Sequence, residues 1–455
     1  MLQELESLKL FFASGGTLSY EFRRAQLLLL KEGILKFEKE IHEALYTDLK
    51  KSPEECWVTE TGFVISEINF TLKHLRRWMK RERVSTNLLN LPSSSFIYKE
   101  PLGVVLIIAP WNYPFQLLLT PLVGALAAGN SAVIKPSELA PATAAILQKI
   151  IEATFSKNYV WCVQGDGAEV VPQLMDPFRF DHVFYTGSTA VGKVIYEMAA
   201  SKLVPVTLEL GGKSPCVVEA DASIKVAARR IAMTKYSNAG QMCVAPDYVL
   251  VHESVKDKLV EELGISIRQF FSEDAATSYN YGKIINEKAF NRLTGLLQKS
   301  TILYGGKSDA TKLYIEPTLL ECTSAADPAM KEEIFGPLLP ILTYNTREEA
   351  KTIIDQHPNP LAFYLFTEKS RSEEAWLKDI PFGGGCINNA SWHLTNNRLP
   401  FGGRGNSGLG AYHGRFSFDV FTHKKAVMKT PTWFDPNIKY PPFNGKLSLF
   451  KKVIR

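Results

Sequence analysis

The chain of 455 residues lacks the features that mark several large classes of protein. Its 52 Lys and Arg residues are nearly balanced by 47 Asp and Glu, so the formal net charge of +5 is too small and too dispersed to indicate nucleic-acid binding. Internal repeats and low-complexity linkers are absent, and 45% hydrophobic with 22% charged residues is ordinary for a globular protein. At about 150 residues per domain, we expect two or three domains.

Two further absences bear on the cellular compartment. The six cysteines are scattered, with no C-x-x-C pair and no His partner at zinc spacing, so we expect free thiols and no metal site. The N-terminus, MLQELESLKL, lacks the basic start and apolar core of a secretory signal. Both observations favour the cytoplasm, a reducing compartment.

Charged side chains are missing altogether between residues 101 and 134, a stretch long enough to cross a membrane. Its four prolines, Pro101, Pro110, Pro114 and Pro121, would break the intrahelical hydrogen bonds that hydrocarbon requires. We therefore expect no transmembrane segment here, but a buried strand, turn and helix. The end of the chain, KLSLFKKVIR, is too short and too charged to span a bilayer and is interpreted as solvated.

Hydrophobic periodicity divides the chain into regions. The spacing predicts one long amphipathic helix over residues 20–50 and a second helix over about 60–80, and the segment that follows looks like a hairpin or arm. From Val104 onward, short Val- and Ile-rich runs alternate with segments of helical length. This alternation indicates parallel strands with crossover helices, in a doubly wound fold that binds its ligand beyond the carboxyl ends of the strands. A second alternating region runs from about 214 to 386.

Cys243 differs from the other cysteines in its neighbours. It lies in SNAGQMCVAPDY, where small and polar residues precede it and a proline follows. A Gly-containing loop lets backbone amides approach a thiolate, as a nucleophile requires. From local composition alone, a nucleophile and a structural thiol are both open.

Two polar residues are candidates for partners of such a nucleophile. Glu209, in VTLELGGKSP, ends an apolar strand, where partial desolvation would suit a general base, although a structural carboxylate is the alternative. Asn112, in APWNYPF, lies in a proline-bracketed turn. Its amide can donate to an oxyanion or stabilise its own turn.

Two segments are candidates for cofactor binding. Lys135 and Glu138, in VIKPSEL, follow a strand at the expected ligand edge, where they can contact phosphate or ribose hydroxyls. YTGSTAVGK is a strand–turn–helix junction with Gly187 and Gly192 in a G-x-x-x-x-G pattern, which is neither the G-x-G-x-x-G fingerprint nor a Walker loop. Backbone amides at the start of its helix can still hold a pyrophosphate.

Together these segments resemble the aldehyde dehydrogenase superfamily. The matching motifs occur in the family's order over residues 100–425: APWNYPF, IKPSE, FYTGSTAVGK, LELGGKSP, NAGQMCVAPDY, EEIFGPLLPI and PFGGRGNSGLGAYHG. The short N-terminus, AYHGRFSFDVFTHKK and the late KYPPF are similar to the class 3 branch, whose members are commonly homodimers. Met242 and Ala190 are small departures from the family pattern.

The resemblance implies an α/β fold of three parts. A doubly wound parallel-sheet cofactor domain would comprise residues 1–80 and 102–210, and an α/β catalytic domain residues 211–388. A small β oligomerisation arm with the C-terminal tail would comprise residues 81–101 and 415–455. The implied partners are a small-molecule aldehyde and a second copy of the chain.

The implied activity is oxidation of aliphatic, fatty or aromatic aldehydes to carboxylic acids with NAD or NADP. By resemblance, Cys243 forms a thiohemiacetal and then a thioester. The Asn112 amide and the backbone N–H of Cys243 hold the oxyanion, and Glu209 activates the hydrolytic water. Acyl transfer to coenzyme A, and an inactive binding or structural protein of the same fold, are the alternatives.

The resemblance also implies roles around the cofactor and substrate. Glu333 and Phe335 would position the nicotinamide ribose and ring, with Glu333 also considered as a second base. Lys135 and Glu138 would contact the adenosine ribose, where the carboxylate should repel a 2′-phosphate and favour NAD. The remaining candidates are Gly187, Ser188 and Gly192 beside the phosphates, and Tyr113, Phe401 and His413 in the aldehyde channel.

Overall fold

The amphipathic pattern of the first eighty residues forms helices, with one difference from the prediction. In this computed structural model, which describes residues 1–454, the single helix predicted over residues 20–50 is wrong: two helices, Tyr20–Lys36 and Glu38–Leu49, take its place. Phe37 leaves helical conformation between them, with φ −104° and ψ 15°. A one-residue break leaves the helical spacing of apolar residues nearly intact, so the pattern alone does not reveal it.

Helices account for most of the connections between strands. A π-helical turn, Trp57–Thr61, joins the fourth and fifth α-helices. The α-helices are α1 (Leu2–Ala13), α2 (Tyr20–Lys36), α3 (Glu38–Leu49), α4 (Pro53–Cys56), α5 (Gly62–Trp78), α6 (Gln116–Ala128), α7 (Pro141–Thr154), α8 (Gly167–Met175), α9 (Thr189–Ala200), α10 (Ile224–Tyr236), α11 (Lys256–Phe271), α12 (Glu287–Leu297), α13 (Arg347–Ile354), α14 (Ser370–Asp379), α15 (Arg415–Val420) and α16 (Leu447–Val453).

Most strands are short, and those central to the two larger sheets are almost entirely buried. The strands are β1 (Glu82–Val84), β2 (Ser94–Pro101), β3 (Val104–Ile108), β4 (Ser131–Lys135), β5 (Val160–Cys162), β6 (His182–Thr186), β7 (Val206–Glu209), β8 (Pro215–Val218), β9 (Tyr248–His252), β10 (Thr301–Tyr304), β11 (Ser308–Asp309), β12 (Tyr314–Ile315), β13 (Thr318–Glu321), β14 (Leu338–Tyr344), β15 (Ala362–Phe366), β16 (Gly384–Ile387), β17 (Gly408–Leu409) and β18 (Thr422–Lys429).

The first large sheet has the strand order β17-β7-β6-β3-β4-β5, parallel except for β17. The chain winds outward from β3 through β4 to β5 and then returns to the other side of β3 with β6 and β7. In such sheets the crevice between the two directions of winding, beyond the carboxyl ends of the strands, is the usual ligand site. Here that crevice lies between β3 and β6, and the predicted doubly wound sheet is confirmed.

The second large sheet has the order β10-β13-β14-β9-β8-β15-β16 and is parallel except for β10. A small antiparallel sheet, β1-β2-β18, joins the arm to the segment after α15. In it, β18 pairs with β2 along all eight of its residues, from Thr422 opposite Pro101 to Lys429 opposite Ser94. The α/β fold with a doubly wound parallel sheet, a second largely parallel sheet and a small antiparallel sheet therefore confirms the predicted fold class.

The charge-free stretch is buried almost throughout. It forms β3, the turn that contains Asn112, and α6, whose residues are all buried. This is the predicted strand, turn and helix, and Pro121 lies inside α6. Within residues 1–454, no helix has the length and apolar character needed to cross a membrane.

Candidate active site

The turn after β3 carries Asn112 into the protein interior. Its side chain is buried, and the amide Nδ2 donates a hydrogen bond to the carbonyl of Gln241 at 3.1 Å. Its Oδ1 has no hydrogen-bond partner among the described residues. An amide nitrogen carries two hydrogens, so one N–H of Asn112 is left for a ligand.

The loop that holds Cys243 begins with three consecutive residues in left-handed conformation. Asn238, Ala239 and Gly240 have φ values of 49°, 50° and 75°. A Cβ on Gly240 would lie 2.2 Å from the carbonyl oxygen of Gly336, so only glycine fits there. Strain of this kind persists only where the surroundings fix it, and functional sites are where it concentrates.

Cys243 itself is partly exposed, whereas four of the other five cysteines are buried. Burial of the thiol, followed by the nearby Glu333 and Glu209 carboxyl groups, raises the pKa of Cys243 to about 12. The thiol form therefore predominates at neutral pH, and a base has to take its proton before it can attack.

Glu209 ends β7, as the sequence predicts, and is buried. Both of its carboxylate oxygens lack a hydrogen-bond partner among the described residues. Burial raises the pKa of Glu209 well above its ordinary value. A desolvated carboxyl group with free lone pairs is suited to exchange a proton with a ligand or a water molecule.

One cavity of about 240 Å³ brings these three residues together. Trp111 and Phe335 face each other edge-on in its wall, with ring centroids 5.3 Å apart. Its complete lining is Pro110, Trp111, Asn112, Leu117, Thr186, Gly187, Ser188, Glu209, Leu210, Gly211, Cys243, Glu333, Phe335, Leu361, Phe401 and Tyr412. A free amide N–H, a thiol and an unpartnered carboxyl group thus share one space, and these are the groups that acyl chemistry on a thiol requires.

Glu333 and Phe335 enter this cavity on a loop that a buried ion pair holds. Lys213 pairs with Asp247 and donates to the carbonyls of Ala329 and Glu332, each at 3.0 Å. The Glu333 carboxyl lies against Gly211, where a Cβ would be 1.9 Å from Oε2. Burial and the negative Asp247 raise the pKa of Glu333 to about 8.

A second cavity, of about 550 Å³, follows the crevice between β3 and β6 and shares Thr186, Gly187 and Ser188 with the first. Lys135 and Glu138 line it and form an ion pair with each other. The Ser188 side chain accepts from the amide of Val191 at 3.4 Å and caps α9. The crevice contains the N-terminus of α9, the Lys135 ammonium and the Glu138 carboxylate, which can accept a hydrogen bond from a hydroxyl group. These groups fit a phosphate and a ribose.

The structure does not bring Gly192 to this crevice. It lies on the inner side of α9, where a Cβ would be 2.6 Å from Leu210 Cδ2. Its small size lets the helix approach β7, while Val191, Val194 and Met198 of the same helix line the cavity instead. Gly192 therefore has a packing role, and its predicted place beside the cofactor phosphates stays a prediction.

A third cavity, of about 150 Å³, lies on the other side of Cys243 and shares Leu117, Phe401 and Tyr412 with the first. Tyr113, Phe401 and His413 all line it, and the His413 and Phe401 rings are stacked with centroids 5.1 Å apart. The other lining residues are largely apolar and include Val58, Phe63, Met233, Met242, Trp392 and Leu394. Cys243 therefore lines both the first cavity, which adjoins the crevice, and the largely apolar third cavity.

Sequence reasoning missed several residues of these cavities. Trp111 adjoins Asn112 in the APWNYPF motif and Tyr412 adjoins His413, so neighbourhood in sequence could have indicated both. Lys213 and Asp247 lie in the LELGGKSP and NAGQMCVAPDY motifs, but their pairing is a contact between distant segments. Local composition carries no signal for such a pair.

Comparison with known proteins agrees with this geometry. The sequence matches the aldehyde dehydrogenase family over residues 12–427. It is 47% identical to the 4,4′-diaponeurosporen-aldehyde dehydrogenase of Staphylococcus aureus, over 100% of this chain and 99% of that protein. It is 44% identical to aldehyde dehydrogenase family 3 member B1 of Rattus norvegicus, over 97% of this chain and 95% of that protein.

Solved structures give the same result. A substrate-bound state of Staphylococcus aureus AldH superposes with a TM-score of 0.97 at 47% identity, covering 100% of this chain and 99% of that one. An indole-3-acetaldehyde dehydrogenase in complex with NAD⁺ superposes with a TM-score of 0.85 at 28% identity, covering 94% of this chain and 88% of that one.

Proposed function

Because the chain belongs to the aldehyde dehydrogenase family, we propose that it oxidises aldehydes to carboxylic acids with Cys243 as the nucleophile, Asn112 as the oxyanion donor and Glu209 as the general base. The observation that carries this proposal is the shared cavity, in which the thiol, the free amide N–H and an unpartnered carboxyl group lie together. The predicted resemblance to the class 3 branch agrees with the family 3 relatives.

In the first step, the Cys243 thiol gives its proton to the Glu333 carboxylate, the second base that the resemblance implies, and its sulfur bonds to the aldehyde carbon. The carbonyl π electrons move to oxygen, and the resulting thiohemiacetal oxyanion accepts hydrogen bonds from the free N–H of Asn112 and the backbone N–H of Cys243. Donors fixed in advance at the place where charge develops lower the barrier, since they need no reorganisation during the reaction.

A bound nicotinamide cofactor would supply the acceptor for the hydride that leaves the thiohemiacetal carbon, so that a thioester remains on Cys243. Glu333 and Phe335 would hold the nicotinamide end, and the aromatic pair Trp111–Phe335 narrows the cavity there. Lys135 and Glu138 would hold the adenosine ribose, and Gly187 and Ser188 the phosphates.

In the last step, Glu209 takes a proton from water as the water oxygen bonds to the thioester carbon. The carbon–sulfur bond breaks, the carboxylic acid leaves, and sulfur departs as thiolate. Because the Glu209 oxygens have no partner among the described residues, both are available to hold this water. This favours hydrolysis over acyl transfer to coenzyme A, in which a thiol would resolve the thioester.

The cofactor would be NAD or NADP. The ion pair with Lys135 weakens the repulsion that Glu138 would exert on a 2′-phosphate, so the carboxylate alone does not exclude NADP. The apolar third cavity would take the chain of the aldehyde, with Tyr113, Phe401 and His413 in its wall. Aliphatic, fatty and aromatic aldehydes all match such a lining.

A panel of aldehydes tested with NAD and NADP, with and without coenzyme A, examines this proposal. We expect acid formation without coenzyme A, and a loss of about 10³-fold or more in the steady-state rate of NAD(P)H formation for both Cys243→Ser and Glu209→Gln. Full activity in either variant would refute the assigned roles. Product that requires coenzyme A would favour acyl transfer, and no turnover with any aldehyde would favour a binding protein.

We also propose that two copies of the chain pair through the arm. Strand β18 lies at the edge of its sheet, and every residue after Thr422 in it is exposed. An edge with free backbone groups is a template for strand pairing. The segment after it exposes large apolar side chains such as Trp433 and Phe443. Sedimentation equilibrium should give the mass of a dimer, and a monomer at micromolar concentration would refute this pairing.

The domain boundaries and the compartment complete the proposal. The two large sheets support a cofactor domain of residues 1–80 and 102–210 and a catalytic domain of residues 211–388, with residues 81–101 and 415–455 as the arm and tail. Six free thiols support a cytoplasmic location. Limited proteolysis and cell fractionation test the two points.

A further inference from the structure

A buried ion pair lies behind the oxyanion turn, outside the three cavities. Lys51 Nζ lies 2.6 Å from Glu60 Oε1, and both side chains are fully buried, with 0% exposure. Lys51 follows α3 directly after Lys50, whose left-handed conformation (φ 56°) ends that helix. Glu60 lies in the π-helical turn Trp57–Thr61, a type of turn that is frequent at functional sites.

Each partner of this pair also contacts the turn that carries Asn112. Lys51 Nζ donates to the backbone carbonyl of Asn112 at 3.1 Å, and the ammonium lies 3.9 Å from the centre of the Tyr113 ring. Glu60 Oε2 accepts from the backbone amide of Gln116, the first residue of α6, at 2.9 Å. The ion pair therefore holds the turn at Asn112 and on its C-terminal side.

The same carbonyl connects the turn to the cysteine loop. Asn238 Nδ2 donates to the Asn112 carbonyl at 2.8 Å and to the Gln241 carbonyl at 3.1 Å. Asn238 in turn is held by Glu55, whose Oε1 accepts from its backbone amide at 3.0 Å. Lys51, Asn112, Asn238 and the loop before Cys243 thus form one continuous network.

We propose that Lys51 and Glu60 are positioning residues that fix the backbone of Asn112 so that its side-chain amide meets the oxyanion. Burying two charged side chains this deeply costs desolvation free energy, and two well-packed apolar side chains could fill the same space without loss of stability. The pair makes three contacts with one turn, to the Asn112 carbonyl, the Tyr113 ring and the Gln116 amide, and these contacts are what such a cost would serve. An oxyanion donor must be placed to within a few tenths of an ångström. If the turn were no longer held in place, kcat should therefore fall while substrate binding is unchanged.

This inference rests on the proposed role of Asn112, and a double-mutant cycle separates the two. We expect Asn112→Ala to lower kcat about 10²-fold or more, and Lys51→Met to lower kcat about 30-fold or more with little change in KM. In the Asn112→Ala background, Lys51→Met should cost less than about threefold, because its route of action is already removed. Lys51→Arg, which keeps the charge and donors, should restore part of kcat.

A matched control comes from the other end of α6. Arg23 is also a buried cation and donates to the carbonyl of Ala127 at 3.2 Å, far along the helix from Asn112. Arg23→Met should lower the melting temperature but leave kcat within about twofold of wild type. The rate at which iodoacetamide alkylates Cys243 is measured in every variant. A rate equal to that of the wild type shows that the cysteine loop is still folded.

The outcomes are distinct. Full activity of Asn112→Ala would refute the proposed function of that residue. A normal kcat in Lys51→Met, or an equal loss in the wild-type and Asn112→Ala backgrounds, would overturn the positioning role of Lys51. If Lys51→Met does not fold, Glu60→Gln, which keeps an acceptor for the Gln116 amide, repeats the cycle with the same expected pattern.

Discussion

Asn112 and Gln241 are joined by a hydrogen bond of 3.1 Å from the Asn112 amide to the Gln241 carbonyl, two residues before Cys243. The bond crosses from the turn after β3 to the cysteine loop and, together with the Asn238 bridge, sets the position of the proposed oxyanion donor relative to the proposed nucleophile. It also orients the amide, because the N–H that it uses leaves the second N–H free.

Replacement of Asn112 by Ala should therefore reduce kcat rather than substrate binding. Removing one oxyanion donor typically costs about 10²–10³ in rate, and we expect a loss of that size in kcat with KM changed less than about threefold. Steady-state kinetics with one aldehyde measures both constants.

Asn130 provides the matched control for that variant. It is also a buried Asn, but it accepts from the Gly103 amide and donates to the carbonyls of Ala125 and Phe421, away from the cavities. Asn130→Ala should lower the melting temperature while the surviving folded enzyme keeps its kcat. A larger loss of kcat in Asn130→Ala than in Asn112→Ala would contradict the assignment.

The pH dependence of thioester hydrolysis should follow Glu209. A general base acts only when deprotonated, and burial raises the pKa of this carboxyl well above its ordinary value. The hydrolysis rate should therefore rise with pH, by about tenfold per pH unit below that pKa, and level off above it. Rapid-mixing measurements of the second half-reaction give the profile. A rate independent of pH across the neutral range would show that another group is the base.

The same shift predicts an effect on stability. The folded protein holds a proton on Glu209 at pH values where the unfolded chain has lost it, so stability is full at acid pH and falls as pH rises toward the folded pKa. Gln stays neutral, so Glu209→Gln should raise the melting temperature by roughly 2 °C or more at pH 8 and much less at pH 5. Scanning calorimetry at the two pH values tests this, and an equal shift at both would contradict it.

Sequence and structure agree best where the signal is local. The strand runs after Val104, the end of β7 at Glu209 and the loop before Cys243 follow from neighbouring residues. The one-residue break at Phe37 and the packing role of Gly192 were not predictable, since each depends on what lies against it in space. The Lys51–Glu60 and Lys213–Asp247 ion pairs were not predictable from the sequence for the same reason, because the ammonium and the carboxylate lie in separate segments.

Cofactor choice should respond to Glu138. Within residues 1–454, Lys135 is the one cationic side chain in the crevice lining, and it is paired with the Glu138 carboxylate. Glu138→Gln removes the repulsive charge and releases Lys135 for a phosphate, so kcat/KM for NADP relative to NAD should rise about tenfold. Glu169→Gln, an exposed site on α8 outside that lining, is the control and should leave the ratio unchanged. A ratio that falls in Glu138→Gln would contradict the ribose contact.

The most direct test of the whole account is a single-turnover experiment on Glu209→Gln with an aldehyde and NAD. The variant keeps Cys243 and Asn112 but lacks the base, so it should release about one NADH per active site and then stop. Mass spectrometry should then find the acyl group on the peptide that contains Cys243. An unmodified Cys243 after the burst, or continued turnover at the wild-type rate, would contradict the account.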